Sequence, residues 1–137
     1  MALIARRPFA AGEDVIVFDE ATDMRGAADQ TLQVGQDRYV QSDRIPLLSP
    51  SCDPNLRVDT ERLAMVALKP IAAGEPLTFF VPEVEWELAR PFDCHCGAAN
   101  CLGRIAGAVD LAAEQRRGHR FSAHIEARFA ERDRPAA

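Results

Sequence analysis

The sequence predicts a mainly β chain of α+β class with a C-terminal helix, on three observations. Short runs rich in β-branched and aromatic residues alternate with Gly- and Pro-bearing turns through residues 1–91. Three cysteines, Cys94, Cys96 and Cys101, crowd residues 92–105. Over 106–137 the apolar residues Phe121, Ile125 and Phe129 recur every fourth position, one stripe of a helix with Arg and Glu around it.

Residues 3–18 read as two short strands around the turn Ala10-Ala11-Gly12-Glu13, with Val15-Ile16-Val17-Phe18 as the second. A looser polar stretch leads to residues 31–41, where Val34-Gly35-Gln36-Asp37-Arg38 predicts a hairpin turn. Pro46, Pro50 and Pro54 then oppose a regular helix and predict a shaped loop. Residues 62–80 repeat the strand, turn, strand grammar around Ala72-Ala73-Gly74-Glu75, an echo of the first turn read as a shared turn solution. A short helix is expected to begin near Glu83 and give way to the cysteine segment. In the tail, Gly118 divides two helices, the second over about 121–131, and the last five residues are expected to fray.

At 137 residues the chain suits one domain, and its composition, 47% apolar and 27% charged, is that of a folded protein. A formal net charge of −5 gives no basic field, which argues against a nucleic-acid partner. No apolar run approaches the roughly 20 residues that cross a bilayer, and the start lacks the layout of a signal peptide, so no membrane partner and a cytoplasmic location are expected. In that compartment four cysteines point to a metal before disulfides.

Cys94-x-Cys96-Gly97 followed by Cys101 places three thiolates within reach of one ion, and a disulfide across two residues would be badly strained. Structural zinc takes four ligands, and Cys52 is the one cysteine left. The residues alone leave two alternatives: His95 in place of a thiolate, or unliganded thiols and disulfides.

Ser51-Cys52-Asp53-Pro54-Asn55, Gly74-Glu75-Pro76-Leu77-Thr78 and the Cys94–Cys101 segment followed by Leu102-Gly103-Arg104-Ile105 stand in the order and spacing of the SET-domain signature and its post-SET cysteines. With Leu3-Ile4-Ala5-Arg6-Arg7-Pro8-Phe9, residues 2–105 resemble a SET domain. The resemblance implies a β-clip fold of small sheets over 1–91, a knot-like crossing near Cys52 and Phe80, a zinc-bound post-SET segment at 92–105 with Cys52 as the fourth ligand, and a helical tail at 106–137. It also implies a cleft bounded by Leu3, Ala5, Ser49, Ser51, Phe79, Phe80, Val81 and Phe92.

The activity implied is methyl transfer from S-adenosylmethionine to a lysine amine, but three parts that serve it in the family differ. Met1 and Ala2 stand where a Gly-x-Gly strand belongs, Ser49-Pro50 replaces Asn-His, and Val81 replaces a tyrosine. Ser cannot reproduce both amide hydrogen bonds of Asn, Pro50 has no N–H, and Val81 can neither donate nor accept. The expectation is a repurposed cleft that binds or transforms a small molecule, as in a bacterial biosynthetic pathway, without ordinary use of S-adenosylmethionine. The alternatives are a pseudoenzyme serving as a protein-interaction module and an unusual protein-lysine methyltransferase. Phe79, Phe80 and Val81 predict a channel mouth that favours an apolar ligand over an ammonium. Catalytic candidates are Tyr39, Glu83 and Glu85, against a packed strand aromatic for Tyr39 and a solvated run for Glu83, Glu85 and Glu87. Trp86 and Phe92 are expected under the cysteine segment, and the helical stripe against the domain or a second copy in a homodimer.

Overall fold

A computed structural model describes residues 2–26, 28 and 31–134. The frequent Gly and Pro keep every strand short. In chain order they are β1 (Asp14–Val17), β2 (Thr22–Met24), β3 (Thr31–Gly35), β4 (Arg38–Gln41), β5 (Ser49–Pro50), β6 (Leu56–Asp59), β7 (Ala64–Ala67), β8 (Thr78–Phe79), β9 (Phe92–Asp93) and β10 (Arg104–Ile105). Helices α1 (Ala113–Arg116) and α2 (Ala123–Arg132) follow. The described residues form a mainly β fold of three small sheets with a C-terminal helix: one sheet ordered β1-β7-β6-β8-β5, one ordered β2-β4-β3, and the pair β10-β9. None of the helices of the described residues is long and apolar enough to cross a membrane.

The predicted hairpin is β3 paired antiparallel with β4, with an irregular register between Gln33 and Gly35. The looser stretch before it contains β2, which sequence reading missed. All three β2 residues are exposed, so no alternation marks them, and the strand exists by pairing with β4, Asp23 opposite Val40. The proline loop holds a 3-10 turn at Ile45–Leu47 and then β5, which runs parallel to β8 with Ser49 opposite Thr78. Strand β7 lies between β1 and β6 and all four of its residues are buried, which is why Ala64-Met65-Val66-Ala67 carries no polar alternation.

The two Ala-Ala-Gly-Glu turns adopt one conformation and bind each other's flanks. Gly12 and Gly74 have φ of 89° and 90°, and each Glu carboxylate accepts the N–H of the Ala opening its own turn. Phe9 and Ile71 exchange both N–H···O bonds at 2.9 Å. Gly12 N–H donates to Ala67 O and Gly74 N–H to Ala5 O, both at 2.8 Å, while Ala5 N–H reaches Glu75 O and Ala67 N–H reaches Glu13 O, both at 2.9 Å. Residues 5–13 and 67–75 are therefore related by a local two-fold.

The main core gathers β1, β3, β4, β6 and β7 around Leu32, Leu56, Met65 and Ile71, each at most 1% exposed. The tail packs on the domain itself. Ile125 and Phe129 are 0% and 4% exposed, and Phe129 meets the Trp86 ring edge-on at 5.5 Å between centroids. The stripe is as expected, but Phe121 precedes the helix, half-buried, and Gly118 (φ 80°) parts α2 from the one-turn α1. Trp86 sits under α2 with Ala108, Ile125 and Phe129, not under the cysteine segment, because that stripe offers the apolar partners. Of the tail expected to fray, residues 135–137 lie outside the described residues.

Candidate functional site

The segment after β9 turns back through Cys94, Cys96 and Cys101 and reaches Cys52 in the loop between β5 and β6. All four Sγ atoms lie within 4.8 Å of one another, with 4.0 Å between Cys52 and Cys94. A tetrahedron of Zn–S bonds has edges of about 3.8 Å, so the arrangement can hold a metal ion and fits zinc. All four thiols are free, which removes the disulfide alternative, and exposed His95 stands outside the cluster. Backbone donors are already aimed at sulfur: Leu102 N–H points to Cys52 Sγ at 3.4 Å and Cys52 N–H to Cys96 Sγ at 3.5 Å. Asn100 Nδ2 donates to Cys52 O at 3.0 Å and ties the two loops together.

The electrostatics fit a cation. Burial pushes the Cys52 thiol up to about 12 and also raises Cys94, whereas the Cys52 N–H draws Cys96 down to about 6. Four thiolates so close repel one another, and a divalent ion at their centre supplies the balancing charge. Phe80, Ile105 and Leu111 pack with the cysteines, and His119 lies on Phe80.

The wall that follows β8 runs from the 3-10 turn Val81–Glu83 to Leu88. The acidic run here is not a solvated surface: Glu83 and Glu85 are 1% and 4% exposed, and only Glu87 of the three faces water. Each buried carboxylate accepts one distant backbone N–H at 2.8 Å, Glu83 from Val58 and Glu85 from Gln33. Gln33 returns the contact, its side-chain oxygen accepting Trp86 N–H at 2.9 Å. Burial pushes both carboxyls up to about 7. The expected short helix at this point is a 3-10 turn, capped by Val84 N–H on Val81 O.

Leu32, Leu48, Phe79, Val81 and Phe92 line a mainly apolar pocket of about 300 Å³, and Glu85 and Arg90 are part of its wall. Ser49, Ser51, Thr78, His95 and Cys96 line a second groove, and Pro50 belongs to both. The structure thus brings Phe79, Val81, Phe92 and Glu85 together and sets Ser49 and Ser51 on the other side of β5. Leu3 and Ala5 pack in or against the main core, Phe80 packs with the cysteines, and Tyr39 and Glu83 do not line the pocket. Tyr39 is a half-buried strand residue on β4, its hydroxyl raised by burial and by Glu85.

Sequence reasoning passed over Gly107. At φ 127° it lies so near the Trp86 backbone that a Cβ would come within 2.4 Å of Trp86 O. This approach lets Ala108 N–H reach Glu85 O at 2.8 Å and Val109 N–H reach Trp86 O at 2.9 Å, which fixes the pocket wall. A lone Gly before an apolar run was the available signal.

No protein-family model matches the chain. A protein of Aspergillus flavus named methyltransferase flvH is 38% identical to it over 78 residues, 56% of this chain and 44% of that protein. The chain thus spans less than half the length of this curated relative.

Proposed function

We propose that the chain is a SET-like, zinc-bound relative of methyltransferases whose cleft takes a small molecule in place of a protein lysine. The observation that carries this reading is the apolar pocket of about 300 Å³ with Val81 in its wall, at the position where the resemblance calls for a tyrosine. That volume is at the lower end of the range for small-molecule sites. Without the hydroxyl, nothing at Val81 aligns a lysine amine for transfer.

A second reading, methyl transfer from S-adenosylmethionine to that small molecule, draws support from the groove across Pro50 and from the name of the Aspergillus relative. Mass spectrometry of ligands released from the purified native protein, with calorimetry against S-adenosylmethionine, separates the two. A co-purifying small molecule and no heat from S-adenosylmethionine at sub-millimolar concentration are expected. Binding of S-adenosylmethionine with methylation of the released compound establishes the second reading. Lysine methylation of a protein substrate refutes both, and binding of neither ligand leaves a protein-interaction module.

A further inference from the structure

The four cysteines share one cluster but not one environment. Cys52 and Cys94 are 1% and 7% exposed, closed in with Phe80, Ile105 and Leu111. Cys96 and Cys101 are both partly exposed, and they differ in what they face. Cys101 Sγ lies 3.5 Å from Cys94 O, turned back on its own loop. Cys96 forms part of the groove on the Ser49 side of β5, a space of about 440 Å³ whose walls include Ser49, Ser51, Thr78, Asp93 and His95. None of the other three cysteines lines it.

Building on the zinc-bound reading above, we propose that Cys96 is a modification site, the one ligand of the cluster whose thiolate takes an alkyl group from a small electrophile entering the groove. A sulfur held by a divalent ion is a thiolate, the nucleophilic form, and needs no neighbouring base. Buried cysteines are inert, so access decides which of the four reacts. The chemistry is a displacement. Cys96 Sγ attacks the electrophilic carbon, the S–C bond forms, and the bond to the leaving group breaks with its electron pair going to that group. No proton moves, since the sulfur carries none. The product thioether is uncharged and a weaker ligand for a divalent ion, so the first adduct loosens the cluster while Cys52, Cys94 and Cys101 are still unmodified. The Ser49 and Ser51 hydroxyls favour an electrophile that carries a hydrogen-bonding group, and Asp93 beside the thiolates disfavours an anionic one.

The test treats the freshly purified, zinc-loaded chain with iodoacetamide and follows adducts by mass spectrometry, each located by fragment ions, while a chromogenic chelator reads released zinc. Cys96 is expected to gain the first adduct, about tenfold faster than any other cysteine, with zinc appearing only after it. Ser49→Phe places a large ring in the groove and should slow the Cys96 adduct by about tenfold. First modification at Cys101, adducts at all four cysteines together, or zinc loss ahead of any adduct overturns the assignment and leaves the zinc reading standing. Zinc retained with no adduct does the same, and an unchanged rate in Ser49→Phe overturns the groove as the route. A chain purified without zinc refutes the zinc reading and the assignment with it. The order of labelling in the wild type decides the point even if the variant fails to fold.

Discussion

His119 lies flat on Phe80, ring centroids 3.8 Å apart and planes 7° from parallel, so the link between α1 and α2 rests on a residue that packs with the cysteines. Three residues on, Ser122 N–H donates to Glu83 O at 2.9 Å, and His124 Nε2 reaches Val84 O at 2.7 Å. The tail thus braces the back of the pocket wall as well as covering Trp86.

Phe129→Ala should cost about 3–5 kcal/mol, because Phe129 is 4% exposed and its loss leaves a cavity beside Trp86. Deletion of residues 119–137 should cost more and expose Trp86 to quenchers. Urea denaturation followed by Trp fluorescence measures both, and a deletion with an unchanged midpoint would contradict this account of the tail.

Metal analysis of freshly purified, reduced protein should find about one zinc per chain, a closed four-thiolate site. Cys52→Ser should be as damaging as Cys96→Ser despite lying far away in sequence, since each opens the same cluster. Chelation should remove folding free energy on the order of 10 kcal/mol.

Burial raises the Glu83 and Glu85 carboxyls from the usual 4.5 to about 7 in the fold. Between those values the native state holds protons that the unfolded state has released, so their contribution to stability declines as pH rises through 4.5 to 7 and is constant outside that window. Glu83→Gln keeps the acceptor for Val58 N–H and removes the charge. Its stability relative to wild type should improve across the window by on the order of 3 kcal/mol. Denaturation midpoints of the pair at pH values below, inside and above the window give the answer, and parallel curves would sink it.

Gly107→Ala should destabilise by about 3 kcal/mol, because the new Cβ meets the Trp86 carbonyl and the backbone angle suits only glycine. The pocket wall should move with it, so amide shifts at Glu85 and Trp86 are expected even where the chain stays folded. A variant with wild-type stability and spectrum would show that the backbones separate at little cost.

The cysteine cluster was legible because three of its members are local in sequence and only one cysteine remained to complete it. The hairpin at Gly35 and the stripe of Ile125 and Phe129 were legible for the same local reason. Glu83 and Glu85 were not. The run Glu83-Val84-Glu85-Trp86-Glu87 reads as a solvated surface, and the backbone donors that hold its two buried carboxylates, Val58 and Gln33, are distant positions with no mark in the run itself. Trp86 was misassigned similarly, since its apolar partners on α2 lie some forty residues downstream. Strand β2 escaped because its reason to exist, pairing with β4, is entirely external to Thr22, Asp23 and Met24.

The local two-fold joining residues 5–13 to 67–75 carries a cost in time during synthesis. Each half supplies the other's hydrogen-bond partners, so neither is satisfied until both have left the ribosome. At roughly 5–20 residues per second, the first half waits on the order of several seconds with an unpaired backbone. Pro8, with Arg6 and Arg7 before it, stands in that waiting segment as Pro70 and Lys69 stand in the second. Proline withholds a donor and the charges repel other copies, so the same residues that flank the finished turn guard it against pairing with the wrong chain.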